Sequence, residues 1–451
     1  MTTETSSAQD GPRPARPYQR YLADMVSRMQ RDVAAAAPLM SAHGGAPPEL
    51  AHAVTAAVER LAPDLLALSH DVHAHPELGF EEHYAVERVA RLLSERGHEV
   101  ESGAYGVKTA LRARAGGGRP RVAILAEYDA LPGIGHACGH NVICAAAVGA
   151  FLAAAEVIGD LDGSVELIGC PAEEGGGGKE YIARAGGFDD IDAAVMLHPF
   201  GADVAEHPWL GVRTVDVTYH GLSAHAAAMP HLGRNALDAI VNAYTGLAQL
   251  RQHILPADRV HGIITDGGQK PNIVPERAAG SFFLRSADPN GITELSERAL
   301  AIFEAAARST GTELEMTWDV CPVYLPVRNN HPLAARYATN LVPRGRKVVP
   351  EGVLPGEMTG STDLGNVSVR VPSIHPLLAI APPDVTIHNP EFAKWAAREG
   401  ADTGTIDGAV GLALTAVDYL TDAELRAEVR AEFEAAGGVM DVDALLAHGT
   451  P

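Results

Sequence analysis

Three consecutive segments decide the fold: RVAILAEYDA at 121–130, NVICAAAVGAFLAAAEVI at 141–158 and SVELIGCPAEE at 164–174. The first and third are short apolar runs typical of buried strands, and the second is long, apolar and rich in small residues, as in a buried helix. AAVMLHP at 193–199 continues the series as one more strand. Strand–helix–strand alternation predicts an α/β fold with a mainly parallel sheet.

Residues 211–323 have a different hydrophobic pattern from the segments of this sheet. VRTVDVTYHG at 212–221 alternates like a half-exposed strand, and the segments after it follow the order β-α-β-β-α-β. That order is typical of a small ferredoxin-like α+β sandwich. We therefore predict an inserted α+β domain at 211–323 and a main α/β domain formed by 50–210 and 324–425.

The two ends of the chain are predicted to lie outside that main domain. Residues 1–49 comprise a polar tail, predicted to be disordered over 1–17, and an amphipathic helix from Tyr18 to about Leu39. Residues 426–451 are charged and predicted to form a helical tail. Just inside the main domain, the pattern predicts a helix from Leu50 towards His73, broken near Pro63 because proline removes a helical hydrogen bond.

Composition excludes several classes of protein. The chain has 451 residues and a formal charge of −22, which argues against nucleic acid or an anionic membrane as a partner. Four cysteines are too few for a disulfide framework in a chain of this length. The first twenty residues are polar and lack the apolar segment of a signal peptide, so we expect a cytoplasmic protein.

The pentapeptide HACGH at 136–140 is the strongest chemical signal. Cys138 and His140 follow a strand and precede a helix, so both side chains can face one ion. Thiolate and imidazole are ligands for Zn²⁺ and similar first-row metals. The alternative interpretation is a small buried cysteine beside a histidine that caps the helix.

Paired carboxylates at the end of a strand form the second signal. Glu173 and Glu174 lie in PAEE, followed by GGGGK at 175–179. One carboxylate can bind metal while its neighbour takes a proton from water. Adjacent residues on a strand point in opposite directions, so a bend is required, and we expect the glycines to allow it. The alternative is an acidic, flexible surface loop; a phosphate-binding loop is disfavoured because the Walker spacing is incomplete.

Three histidines near the ends of strands are further candidate ligands: His198 in LHP, His375 in IHP and His388 in TIHNPEF. A single histidine of this kind is more often structural, but three in a chain with other metal-type residues favour ligation. HGLSAH at 220–225 lies in the inserted domain, where His225 could donate a hydrogen bond to a developing oxyanion. The alternative is a helix-capping histidine.

Together these motifs resemble those of the two-metal aminoacylase/carboxypeptidase-type metallopeptidase family. The resemblance is carried by HDVHAHPELGFEE (70–82), EYDALPGIGHACGHN (127–141), PAEEGGGGK (171–179), LHP, HGLSAH, GSTDLGNVS (360–368) and HNPEF. It is to the amidohydrolase branch with a cysteine ligand, which includes p-aminobenzoyl-glutamate hydrolase, auxin-conjugate hydrolases and β-alanyl-lysine dipeptidase-like proteins, and is closest to the last. It covers about residues 55–425, and it implies that 50–210 with 324–425 form the catalytic, metal-binding domain and that 211–323 form an inserted lid or dimerisation domain.

The resemblance implies a role for each matching residue. The implied metal ligands are Cys138, His140, Glu174, His198 and His388. Glu173 matches the general base, and His225 matches the lid histidine that reaches the partner subunit's active site. Asn272 and Arg285 match lid groups that hold a substrate carboxylate. The resemblance further implies two divalent ions per subunit, with Zn²⁺ favoured and Mn²⁺ or Co²⁺ as alternatives.

Two departures from the family pattern remain open at this point. Many relatives have His-x-Asp where this chain has Glu127-Tyr128-Asp129, which leaves Glu127 and Asp129 as candidates to support the ligands from behind. His375 competes with His388 for the last ligand position, and the HNPEF context favours His388.

We therefore predict a homodimeric metallo-amidohydrolase or dipeptidase that cleaves a small amide or dipeptide substrate. A metal-free thiol hydrolase, with Cys138 as nucleophile and His140 as base, is the rival enzyme class. A metal-storage or substrate-binding protein without turnover is the rival outside enzymes. Loss of the general base would favour that second rival, but Glu173 is present.

Overall fold

The computed structural model describes residues 18–355 and 359–447, so the predicted disordered tail at 1–17 lies outside the described residues. The helices are α1 Gln19–Ala35, α2 Pro48–Ala74, α3 His83–Glu95, α4 His140–Val157, α5 Gly178–Arg184, α6 Ala236–Leu250, α7 Pro289–Thr310, α8 His331–Leu341, α9 Leu364–Ser368, α10 Pro390–Trp395, α11 Glu399–Thr421, α12 Ala423–Ala435 and α13 Val442–Ala447.

The strands fall into a six-stranded, a four-stranded and a two-stranded sheet. They are β1 Val100–Ser102, β2 Leu111–Gly117, β3 Arg121–Glu127, β4 Gly163–Cys170, β5 Ala193–Val195, β6 His198–Phe200, β7 Gly211–His220, β8 Arg259–Asp266, β9 Arg277–Ser286, β10 Glu313–Trp318, β11 Ser373–Ile374 and β12 Leu377–Ala379.

The six-stranded sheet has the order β1-β2-β4-β3-β5-β11. Strands β4, β3, β5 and β11 are parallel, whereas β2 is antiparallel to both of its neighbours. The carboxyl ends of β3, β4 and β5 therefore meet at one edge, where α/β sheets carry their sites. The predicted fold class, a mainly parallel α/β sheet with a separate α+β unit, is confirmed.

Helix α4 forms the centre of the core beside this sheet. It packs against α2, α11 and β3, and nearly all of its residues are buried. Small residues permit this close packing: a Cβ added at Gly149 would lie 2.5 Å from Leu65 Cδ1. The helix is long and apolar enough to cross a membrane, but 83% of it is buried inside the protein, as expected for a core helix.

The four-stranded sheet has the antiparallel order β10-β7-β9-β8. Helices α6 and α7 cover one face and build a separate apolar core that includes Tyr219, Phe282 and Phe303. Residues that alternate with these, such as Thr214 and Phe283, point to the other face and line the cavity described below. This unit is the predicted ferredoxin-like insertion.

Two local predictions were wrong. Helix α2 continues through Pro63 instead of breaking there. Pro63 is exposed, so water can replace the lost hydrogen bond while Leu61 and Leu65 keep packing into the core. The segment 193–199 is not one strand: β5 ends at Val195, and β6, which starts at His198, pairs with β12 in the small sheet.

Candidate metal centre and substrate cavity

The loop between β3 and α4 presents the Cys138 thiol and the His140 imidazole at the carboxyl edge of the sheet. Gly139 between them has φ 79°, a conformation that favours glycine. A Cβ at this position would also lie 2.8 Å from Pro199 Cβ. Because helix α4 begins at His140, the backbone must turn sharply here, and the turn places both donors on the same side.

The five predicted ligand residues form two groups that share Cys138, and a further group joins His140 and Glu174 to Glu173. Cys138, His140 and His198 form one, and Cys138, Glu174 and His388 form the other; within each group the donor atoms lie within 4.8 Å of one another. Cys138 Sγ is 3.2 Å from His198 Nε2 and 3.5 Å from His388 Nε2. His388 Nε2 is 3.2 Å from Glu174 Oε1. The shared thiol lies between two sets of donors.

This donor set fits two divalent metal ions. One thiolate, three imidazoles and a carboxylate suit Zn²⁺ and other first-row metals. His140 Nε2 is buried and forms no hydrogen bond among the described residues, and Glu127 Oε2 lies 3.5 Å away. Buried polar atoms are rarely left unpaired, so this nitrogen is available to bind an ion.

Asp129 contacts two of the candidate ligand residues, His140 and Glu174, on the side away from the cavity. Its Oδ1 lies 2.9 Å from His140 Nδ1, and its Oδ2 accepts a 2.9 Å hydrogen bond from the Glu174 backbone N–H. Burial alone would lower the pKa of His140, but the Asp129 carboxylate, helped by Cys138 and Glu127, outweighs burial and raises that pKa well above its usual range. Such a carboxylate fixes the ring orientation of a metal-binding histidine.

Glu173 stands beside the ligand groups with its carboxylate free to act on another molecule. It lines the cavity, and its Oε2 is 4.0 Å from His140 Nε2. Burial, helped by the carboxylates of Glu127 and Glu174, raises the pKa of Glu173 well above its usual range. The Tyr324 hydroxyl donates a 2.6 Å hydrogen bond to the Glu173 backbone oxygen and fixes the turn.

The bend that brings Glu173 and Glu174 into one site starts before the glycines. Strand β4 ends at Cys170, and Ala172 has φ 55°, a left-handed conformation that is rare for alanine. Its N–H donates to the buried Glu82 carboxylate at 2.8 Å. The expectation that the glycine run supplies the bend is therefore corrected, although Gly175 and Gly177 also have positive φ.

Of the two competing histidines, His388 is the one that joins the donors. His375 is fully buried and belongs to none of the metal-type groups in the described chain. Its ring lies 5.5 Å from the ring of His198. His375-Pro376 resembles His198-Pro199 because the two pairs lie in neighbouring parallel segments, β11–β12 and β5–β6.

A buried ion cluster lies beneath Glu173 and was not predicted. The ammonium of Lys179 contacts the carboxylates of Glu127 and Asp363, and all three side chains are fully buried. Glu127, Glu173 and Asp363 place carboxylate oxygens within 4.8 Å of one another. In the sequence, the only sign of this cluster is that Lys179 follows a run of glycines. Such a pattern is usually considered only as a phosphate-binding loop.

A cavity of about 550 Å³ opens from the donor groups towards the four-stranded sheet. Arg285 lines it, and burial lowers the pKa of this arginine. Its Nη1 donates to Ser361 Oγ at 2.8 Å, while its buried Nε has no partner among the described residues. The guanidinium can therefore receive an anion such as a carboxylate.

His225 and Asn272 do not reach this cavity in their own chain. Both are exposed on the four-stranded unit, where His225 pairs with Ile273 across an isolated bridge. The N–H groups of Ala227 and Ala228 donate to His225 Nδ1 at 3.3 and 3.1 Å. The structure thus brings Arg285 to the candidate site and leaves these two predicted residues away from it.

The geometry does not favour the thiol hydrolase. Cys138 Sγ contacts two further imidazoles, of His198 and His388, instead of forming an isolated pair with His140. Burial, followed by the Glu174 carboxylate, raises the pKa of the Cys138 thiol well above its usual range. Without a metal the reactive thiolate is therefore disfavoured.

Comparison with known proteins adds independent findings. The family model of peptidase family M20/M25/M40 matches residues 123–403. A mouse protein named Xaa-Arg dipeptidase is 38% identical over 396 residues, which are 84% of this chain and 90% of that protein. A p-aminobenzoyl-glutamate hydrolase chain from Escherichia coli is 37% identical over 276 residues, 56% of this chain and 57% of the relative.

Solved structures agree on the fold. A putative aminohydrolase from methicillin resistant Staphylococcus aureus has a TM-score of 0.66 and 19% identity, over 82% of this chain and 100% of the other. A Bacillus subtilis protein described as a dinuclear metal binding peptidase has a TM-score of 0.57 and 21% identity, over 77% and 98% of the two chains. At such identity the likeness concerns the fold alone.

Proposed function

The chain belongs to peptidase family M20/M25/M40, and on that basis we propose that it is a metal-dependent hydrolase of dipeptides or N-acyl amino acids. That it is a hydrolase of peptide or amide bonds follows from the family; the metal dependence and the residue roles are the proposal. One observation carries it: two donor groups share Cys138, and the separate buried carboxylate of Glu173 lies beside them.

We assign two roles to these residues, metal ligand and general base. Cys138, His140, Glu174, His198 and His388 hold two divalent ions, which when bound act as Lewis acids towards the scissile carbonyl and a water molecule. Zn²⁺ is favoured by the thiolate, and Mn²⁺ or Co²⁺ are alternatives. Glu173 takes a proton from the water and passes it to the leaving amine, a role that suits a carboxylate beside the two donor groups that share Cys138.

Arg285 orients the substrate by binding its carboxylate. The side chain is half-buried and lines the same cavity as Glu173, and its Nε has no hydrogen-bond partner among the described residues. A free carboxylate is common to dipeptides and N-acyl amino acids. The relatives named Xaa-Arg dipeptidase and p-aminobenzoyl-glutamate hydrolase support this substrate class for the chain.

Removal of metal tests the proposal directly. EDTA should abolish amide hydrolysis, and Zn²⁺ or Mn²⁺ should restore it, because the ions supply both the Lewis acid and the activated water. The measurement is the rate of amine release from a dipeptide panel, together with metal content by mass spectrometry. Insensitivity to EDTA combined with inactivation by a thiol alkylator would instead support the thiol hydrolase.

Cysteine variants provide the matched control. Cys138→Ala should lose bound metal and activity together, because its thiol belongs to both donor groups. Cys144→Ala should retain both, since Cys144 is a buried core residue in helix α4 and belongs to neither group. Full metal content in Cys138→Ala would contradict the ligand assignment. A wild-type protein that binds metal but hydrolyses no amide would favour the alternative of a metal-storage or substrate-binding protein.

We further propose a homodimer whose sites are completed across the interface. His225 and Asn272 are exposed on the four-stranded unit, and strand β8 forms an edge of that sheet with exposed Ile263 and Ile264. Such an edge invites pairing with another chain, and a symmetric dimer satisfies it. His225 and Asn272 would then act in the partner's cavity, where they bind the oxyanion and the substrate carboxylate.

Complementation between two inactive variants tests the shared site. Mixed dimers of His225→Ala and Glu173→Gln chains should each contain one intact composite site. Random reassembly of equal amounts should therefore restore about a quarter of wild-type activity, because half of the dimers are mixed. The measurement is activity after reassembly, with mixed dimers counted by native mass spectrometry. Background activity despite mixed dimers, or a monomer by light scattering, would reject the proposal.

A further inference from the structure

Helix α1 forms part of the candidate active site although it lies outside the region matched by the family. Leu22 and Met25 line the same cavity as Cys138, Glu173 and His388, whereas the family match begins at residue 123. Nothing in the motifs of the site predicts a contribution from this end of the chain.

The carboxyl-terminal half of α1 is firmly attached to the catalytic unit. Met29 is buried in an apolar cluster that contains Trp209 and Leu354. The Lys347 ammonium donates to the carbonyl oxygens of Val33 and Ala34 at 3.1 and 2.8 Å. Lysine bonds of this kind stabilise the last turn of a helix. These contacts hold the amino-terminal half of α1 in place beside the cavity.

Met25 is largely buried, whereas about half of the Leu22 surface remains exposed. Their neighbours in the cavity include Phe200, Trp209 and Ile387, so this wall is apolar. The lining residues in the described chain carry carboxylates only at Glu173 and Glu174, which the proposed reaction already uses. A cationic substrate group against this wall would therefore be desolvated without a dedicated counter-charge.

We propose that helix α1 is a specificity wall, and that Leu22 and Met25 select an apolar group of the substrate and limit its size. The proposal rests on the proposed amide hydrolysis and adds the class of group that the cavity accepts. The group is either the acyl chain or the side chain of the residue whose carboxylate binds Arg285. The two sources present the same chemistry to the wall.

Two substrate series distinguish the sources. One varies the acyl chain from acetyl to decanoyl on a fixed amino acid, and the other varies the amino acid from alanine to leucine, phenylalanine and arginine with a fixed acyl group. The kcat/KM profile is measured for the metal-loaded wild type, Leu22→Ala, Met25→Ala and Leu22→Trp. Arg28→Ala is the control, because Arg28 is exposed on the same helix and does not line the cavity.

Smaller and larger side chains at the wall should shift the preferred size of the substrate group in opposite directions. The alanine variants should move the optimum to longer or bulkier groups, with a change of about fourfold in kcat/KM per methylene gained or lost at the wall. Leu22→Trp should move the optimum to shorter groups, while Arg28→Ala should leave the profile unchanged. The smallest substrate should change by less than about twofold in every variant.

The outcomes separate this inference from the proposed function. A shift in the acyl series assigns the wall to the acyl chain, and a shift in the amino-acid series assigns it to the side chain; either supports the proposal. Unchanged profiles in folded, active variants would overturn it while leaving the hydrolase intact. A wild-type preference for arginine over leucine of more than tenfold would also overturn it. A metal-loaded wild type that cleaves no amide would instead refute the proposed function.

Discussion

Glu173→Gln is expected to lower kcat by ~10²–10⁴-fold while the bound metal stays in place. Glutamine keeps the size of the side chain but cannot accept the proton of the attacking water. Glu173 lies near His140 and Glu174 but belongs to neither of the two donor groups that share Cys138, and glutamine keeps an oxygen at its position, so we expect both of those groups to keep their ions. Steady-state kinetics and metal content on the same preparation provide the measurement.

The adjacent residue supplies the contrast. Glu174→Gln should lose metal as well as activity, because Glu174 Oε1 lies 3.2 Å from His388 Nε2 in a shared donor group. Two neighbouring substitutions of identical chemistry should thus separate into a kinetic defect and a binding defect. A Glu173→Gln enzyme with near wild-type kcat would refute the assignment of the base.

Lys179→Met is expected to destabilise the fold by ~3–5 kcal/mol, the usual cost of removing one partner from a buried ion pair. Methionine fills a similar volume, but it leaves the carboxylates of Glu127 and Asp363 buried without their shared cation. Denaturant unfolding of the metal-free protein measures the loss, so that changes in metal affinity do not enter.

Two further variants show whether charge is the cause. Lys394→Met removes a cation from an exposed pair with Glu391 and should cost no more than ~1 kcal/mol. Adding Asp363→Asn to Lys179→Met should recover part of the stability, since one uncompensated carboxylate is removed. Equal destabilisation by Lys179→Met and Lys394→Met would contradict the buried cluster.

The sequence was informative where structure depends on short-range patterns. Buried parallel strands appear as apolar runs, so β3, β4 and the helix between them were predictable from hydrophobicity alone. Ligand types were also evident, because thiol, imidazole and carboxylate groups followed the ends of these strands. The fold class was confirmed, and the metal-ligand assignments remain predictions that the observed distances support.

Other features depended on contacts between distant segments and could not be predicted. The division of 193–199 into β5 and β6 arises because two parallel segments change sheet together, one between Val195 and His198 and the other between Ile374 and Leu377. Lys179 pairs with residues 52 and 184 positions away. The place of α1 beside the cavity depends on Met29 and Lys347, which carry no motif that would associate them.

Through helix α4, the candidate site depends on a segment that is synthesised late in translation. The helix begins with His140 and packs between α2, at residues 48–74, and α11, at residues 399–421. Contacts so distant in sequence form late in folding. A chain whose helix α11 has not yet emerged from the ribosome lacks this packing around His140. We therefore expect a chain truncated before residue 421 to bind metal poorly.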